Sequence, residues 1–83
     1  LNELVLKELT QEYVIYLYRT ETEGSYGEIH MNIGDENATV VSFPDEDSGW
    51  GYYAYKAAKA VESCVKEHAE DRNFPSKFIQ AWY

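Results

Sequence analysis

The chain's two prolines, Pro44 and Pro75, bracket the one stretch whose apolar residues recur with the period of a helix. Trp50, Ala54, Ala57, Val61, Cys64, Val65 and His68 fall on a single helical face. Lys59, Glu62, Ser63, Lys66, Glu67 and Glu70 fall mostly outside it. Proline lacks the N–H that pairing requires, so the spacing predicts one helix from about Gly49 to Arg72. Asp47 or Ser48 is the expected cap, and the acidic Asp45-Glu46-Asp47 run suits the positive end of the helix dipole. Asn73 is expected to take the left-handed turn that ends the helix. Glu62 and Lys66 stand four apart in the favourable order, a pair worth roughly 0.2–0.5 kcal/mol. Ala54, Ala57, Ala58 and Ala60 are small enough for the helix to lie close to a sheet.

The segments before Pro44 read as strands. Tyr13 to Thr20 is β-branched and aromatic, the composition that fits a pleated surface. Tyr26 to Ile33 alternates cleanly, with Gly27, Ile29, Met31 and Ile33 on one face and Tyr26, Glu28, His30 and Asn32 on the other. Gly34-Asp35-Glu36-Asn37 is a turn, and Ala38 to Phe43 resumes the pattern, so these two strands form an antiparallel hairpin. Leu1 to Leu9 fits either period: Leu1, Leu4, Val5 and Leu9 at helical spacing, Leu4 and Leu6 in alternation. A short strand over Leu4–Glu8, before the polar turn Thr10-Gln11-Glu12, is the reading adopted. Phe78 to Tyr83 is apolar and aromatic and is expected to return as a last strand or to pack on the sheet.

The expected fold is a single α+β domain over residues 1–83, in the order β-β-β-β-α-β with the first strand the least defined. One long helix would lie across one face of an antiparallel sheet and cover Ile15, Leu17, Ile29, Met31, Ile33, Val41 and Phe43. Val14, Tyr16 and Tyr18 would then share the opposite face with Tyr26 and His30, with no second helix to cover them. Eight of the 83 residues are tyrosine, which suits half-buried sites and interfaces, so Tyr16, Tyr18, Tyr26 and His30 are the candidate contact residues.

The formal net charge is −8, from 15 acidic and 7 basic side chains, which disfavours phosphate backbones and anionic lipid surfaces. No direct nucleic-acid or membrane partner is expected; a basic protein or a second copy of the chain is. No apolar run approaches the ~20 residues of a membrane span. Cys64 is the one cysteine and cannot form an intrachain disulfide, which fits a reducing, cytoplasmic setting. The chain opens on Leu1 rather than Met, as a processed or trimmed product with sequence upstream would.

Taken together, Tyr13-Val14-Ile15-Tyr16-Leu17-Tyr18, the Gly27-containing strand, the Tyr52-Tyr53-Ala54 helix start, Asn73-Phe74-Pro75 and the Ala81-Trp82-Tyr83 ending resemble a group of small uncharacterised proteins of Gram-positive bacteria and their mobile elements. These features span most of the chain. The resemblance implies the fold and no activity.

Motifs that would carry chemistry fail on inspection. Asp45-Glu46-Asp47-Ser48-Gly49 begins like a calcium loop, but its sixth position is Trp50 and its twelfth Lys56, where the loop needs Gly and Glu. Cys64, His30 and His68 are too few for a structural zinc site. No metal, cofactor or catalytic residue is therefore expected. The leading expectation is a non-enzymatic interaction module that uses a tyrosine-rich sheet face and can pair with itself. The alternatives are an acidic inhibitor or nucleic-acid mimic docking on a basic protein, and a small enzyme or ligand-binding domain with a pocket near Trp50, Cys64 and His68.

Overall fold

The structure, a computed structural model, describes residues 1–20, 24–45 and 51–81. The elements are β1 (Asn2–Leu9), β2 (Tyr13–Arg19), β3 (Gly27–Asn32), β4 (Thr39–Ser42), α1 (Tyr52–His68) and β5 (Lys77–Gln80). The strands form one antiparallel sheet in the order β4-β3-β2-β1-β5, and α1 packs on it, giving an α+β fold. Among the described residues, no helix is long and apolar enough to cross a membrane.

The ambiguous first segment is a strand, and a longer one than Leu4–Glu8. Its alternation is satisfied on both edges, by β2 and by β5, so its tertiary partners override the competing helical spacing. The turn into β2 is held by Thr10. Its hydroxyl accepts from the backbone N–H groups of Glu12 (3.1 Å) and Tyr13 (3.0 Å), and its own N–H donates to the Tyr13 carbonyl (2.9 Å).

On β3 the helix covers Ile29 and Met31, as expected, but on β2 and β4 the covered face differs from the expected one. Tyr16 stands opposite Ile29 and Val14 opposite Met31, and residues directly opposite in an antiparallel pair share a face. Val14, Tyr16 and Tyr18 therefore lie beneath α1 with Leu4, Ile29, Met31, Ala54, Ala57, Val61, Cys64 and Val65. Ile15 and Leu17, expected under the helix, stand opposite His30 and Glu28 on the other face. On β4 it is Val40 that packs on the core; Val41 sits at a bulge and is exposed, as is Phe43. The cause is a balance of volume and charge. Alanines at the helix–sheet contact leave room for phenol rings, and Gly27 leaves a notch opposite Tyr18. On the opposite parity Arg19 and Glu28 must stay within reach of water, which fixes that face as the open one.

The helix is shorter than expected. It starts at Tyr52, with Gly51 at the cap position in the left-handed region (φ 69°) and no side-chain cap. Asp47, Ser48 and Trp50 lie outside the described residues. At the other end the left-handed residue is Arg72 (φ 64°), not Asn73. The Arg72 guanidinium donates to the Thr10 carbonyl at 2.8 Å and the Gln11 carbonyl at 3.4 Å, tying the end of the helix to the β1–β2 turn. Asp71 holds the next residue by accepting the Asn73 N–H at 2.8 Å.

Polar side chains fasten the helix to the sheet at both ends. Glu62, expected on the solvent side, is buried, and its Oε2 accepts the Ala38 N–H at 2.9 Å. Its cation is Lys59, 3.4 Å away, while Lys66 reaches Glu36 at 3.6 Å, so the expected Glu62–Lys66 pair is not the one formed. At the opposite end Asn2 is fully buried and its Nδ2 donates to the Tyr53 carbonyl and to Gln80 Oε1, both at 3.1 Å. Gln80 Nε2 in turn donates to the Lys56 carbonyl at 2.7 Å.

Candidate functional site

The open sheet face does not carry the surface the tyrosines promised. Tyr16 and Tyr18 have no exposed area and cannot meet a partner from that face. Tyr16 instead donates its hydroxyl to the Pro75 carbonyl at 2.7 Å, lies 3.7 Å from Cys64 Sγ, and sets its ring edge-on to Phe78 at 5.6 Å. Burial, with the Cys64 contact added, pushes its phenol far up from the ordinary tyrosine value, so it stays a neutral donor. Tyr26 is exposed at the edge of the open face and His30 lies on it, so half of the candidate residues are accessible.

What the open face carries is a lattice of paired charges over a thin apolar layer of Val5, Ile15 and Leu17. Glu3 accepts from Arg19 Nε at 2.8 Å and from Tyr26 O–H at 3.2 Å, and pairs with Lys77 at 3.2 Å. The Arg19 guanidinium lies 4.7 Å over the Tyr26 ring. Glu28 bridges Lys7 at 2.6 Å and His30 at 2.7 Å, and Tyr13 donates to Glu8. Three of the seven basic residues, Lys7, Arg19 and Lys77, are therefore on this face, each matched by an acid. The face shields itself, and its polar groups are already committed.

Burial alone would raise the Glu3 carboxyl, but hydrogen bonds and charge from Arg19 and Lys77 bring it below the ordinary 4.5. Glu28 is lowered as well, by Lys7 first and then His30. A carboxyl depressed by folding stabilises the fold above its unfolded pKa and loses that contribution as pH falls through its folded value. Thermal stability should hold from neutrality down to about pH 4.5 and drop below it. Glu3→Gln should flatten that acid limb. A wild-type and a Glu3→Gln melting series that run parallel below pH 4.5 would show that Glu3 is not the linked group.

Cys64 and His68 share a helical stripe but not a chemistry. Burial pushes the Cys64 thiol up, against the reactive thiolate that a nucleophile requires. His68 Nδ1 faces Asp71 Oδ1 at 3.0 Å, its ring packs edge-on to Phe74 at 6.0 Å, and Nε2 lies 3.6 Å from Glu67. Among the described residues, no group of three histidine, cysteine or carboxylate side chains is placed to hold a metal ion.

The feature that the sequence reading missed lies beside β5. The helix packs over β1 to β4 and leaves β5 largely outside its footprint. A groove of about 400 Å³ opens there. One helix stripe, Ala60, Ser63, Cys64 and Glu67, forms one wall, and Pro75, Phe78, Ile79 and Gln80 form the other. Its surface is mostly apolar. β5 is the terminal strand, so its outer backbone edge has no neighbour among the described strands. Leu6 N–H donates to the Ser76 carbonyl at 2.8 Å. The alternation of an antiparallel ladder then turns the amide groups of Phe78 and Gln80 toward β1, and those of Lys77 and Ile79 outward. Ile79, 53% exposed, stands on the open face of that edge. The sequence did hold a signal: a short strand after Pro75, and small residues at i, i+3 and i+4 on the helix. Without the strand order nothing linked the two. No family model, curated protein or solved structure matches the chain.

Proposed function

We propose that this chain is a non-enzymatic protein-interaction module that captures an extended segment of a partner as a sixth strand on β5. The carrying observation is a regular strand edge with no neighbour among the described residues, set beside an apolar groove. A strand edge supplies directional hydrogen bonds to any extended backbone, and a neighbouring groove gives alternate side chains somewhere to go. The two edges of this sheet differ in a way that favours β5. β4 is bulged against β3 and runs into Pro44, two devices that discourage further pairing. β5 also has a proline close by, Pro75, two residues before its start, but it is not bulged, and its register with β1 is unbroken. The raised Cys64 thiol and the committed charges of the open face speak for binding rather than catalysis.

Selection of random decapeptides on the immobilised protein tests this reading, with Ile79→Pro as the comparison. Proline removes the outward N–H at Ile79 and leaves the ladder to β1 intact, and edge strands tolerate it. Selected peptides should bind Ile79→Pro about fivefold more weakly, in line with the loss of one backbone hydrogen bond worth about 1 kcal/mol. They should also shift the amide resonances of Lys77 and Ile79. Peptides indifferent to Ile79→Pro would place the binding surface elsewhere and end the proposal.

A further inference from the structure

The groove has a polarity along its length, and that polarity specifies its occupant. α1 and β5 run in opposite senses, so the groove begins beside Ala60 and Gln80 and ends beside Glu67 and Pro75. The first end is neutral: the Gln80 amide is spent on the Lys56 carbonyl and the Asn2 side chain. The second end is negative for two reasons. Glu67, with a side chain 75% exposed, is the one charged residue in the groove wall, and His68 Nε2 lies 3.6 Å from it. It also stands in the last turn of α1, where the helix dipole itself favours a cation. Between the two ends the walls are Ala60, Ser63, Cys64 and Phe78, small or apolar, with room for branched aliphatic side chains.

The direction of the guest follows from the strand edge. A guest antiparallel to β5 meets Ile79 and Lys77 as the outward-facing pairs, and antiparallel pairing is the more stable per residue. Its residues opposite Gln80, Phe78 and Ser76 then face the groove, in that order along the guest chain. The first two meet the apolar walls, and the third reaches Glu67. Resting on the reading that β5 accepts a strand, we infer that its occupant is an extended peptide with apolar residues at two alternate positions followed, two residues later, by lysine or arginine. The strongly acidic balance of the whole chain draws the same kind of partner from a distance.

The probe is the synthetic peptide acetyl-Thr-Val-Thr-Leu-Thr-Lys-Thr-amide, followed by fluorescence anisotropy with a dye-labelled copy. Two further peptides carry Glu in place of Lys, or the Val, Leu and Lys positions in reverse order. Wild-type protein should bind the Lys peptide about fivefold more tightly than the Glu peptide at low ionic strength, with the gap closing as salt rises. The reversed peptide should be weaker than the parent. Glu67→Lys, an exposed substitution, should reverse the preference between Lys and Glu peptides. Ser63→Trp, also exposed, should block all three by filling the groove. Equal binding of Lys and Glu peptides, still abolished by Ile79→Pro, would overturn the charge and direction assigned here while leaving strand capture in place. No binding of any peptide would overturn both. A peptide-free protein that sediments as a dimer, and as a monomer after Ile79→Pro, would also overturn the inference, since a second copy would then fill the edge.

Discussion

Gly27→Ala should destabilise the fold by about 3 kcal/mol, at the upper end of the usual cost of overpacking. In an open strand the same change ordinarily helps by roughly 0.5–1 kcal/mol, because alanine loses less backbone freedom than glycine. Here a Cβ would stand 2.5 Å from Tyr18 Cε1, 2.6 Å from the Ser42 carbonyl oxygen and 2.7 Å from Pro44 Cδ. None of the three can give way cheaply. Tyr18 and Pro44 are fully buried, and Ser42 is backbone within the β3–β4 pair. Tyr18 lies directly opposite Gly27 in the ladder, so the glycine is the space the ring occupies. Urea denaturation of Gly27→Ala, Tyr18→Leu and the double variant tests the point. The double variant should be less destabilised than the sum of the singles, since removing the ring relieves part of the clash. Strict additivity, or a neutral Gly27→Ala, would mean that the ring does not fill that notch.

Tyr16→Ala is expected to cost about 3–5 kcal/mol, the range for removing a large buried ring. Set against the roughly 5–15 kcal/mol that holds a domain of this kind together, that loss leaves a large unfolded fraction. Tyr16→Phe keeps the ring but leaves the Pro75 carbonyl without its donor, and should cost about 1–3 kcal/mol. Tyr26→Ala, at an exposed position whose contacts are Glu3 and Arg19, should cost less than about 1 kcal/mol. The ordering Tyr16→Ala, Tyr16→Phe, Tyr26→Ala in denaturant midpoints measures which phenols lie under the helix. Comparable midpoints for Tyr16→Ala and Tyr26→Ala would return Tyr16 to the surface.

The strands and the helix could be read from the chain because their periods are unambiguous where polarity alternates. Ile29 and Met31 against Glu28 and His30 leave no doubt about the two faces of β3. Val14-Ile15-Tyr16-Leu17-Tyr18 is different: it is apolar on both faces, so its own pattern cannot say which side meets the helix. A shift of one residue in register exchanges the faces entirely; Glu21 to Ser25, with Gly24, reads as a turn but does not fix that register, and residues 21–23 lie outside the described residues. Arg19 was the available clue. Its parity carries Leu17, Ile15 and Tyr13 to the wet side and thereby puts Tyr16 and Tyr18 in the core. The groove was beyond reach for another reason. It arises from the position of β5 at the end of the sheet and from the lateral offset of the helix, and both are properties of strand order rather than of any local segment. Glu62 was misplaced because a carboxylate reads as solvated until a buried N–H, here that of Ala38, is known to need it.

Strand β1 lies between β2 and β5, with Asn2 paired to Gln80. During synthesis, therefore, one side of β1 stays open until β5, the last of the described strands to be made, has left the ribosome. Leu4 and its neighbours can zip to β2 as soon as the first hairpin emerges, but the opposite flank stays unsatisfied until Lys77–Gln80 arrives. A nascent chain stalled before that point would display a bare, partly apolar border of its own, a natural target for holding chaperones and a point at which truncated products would be sorted from finished ones.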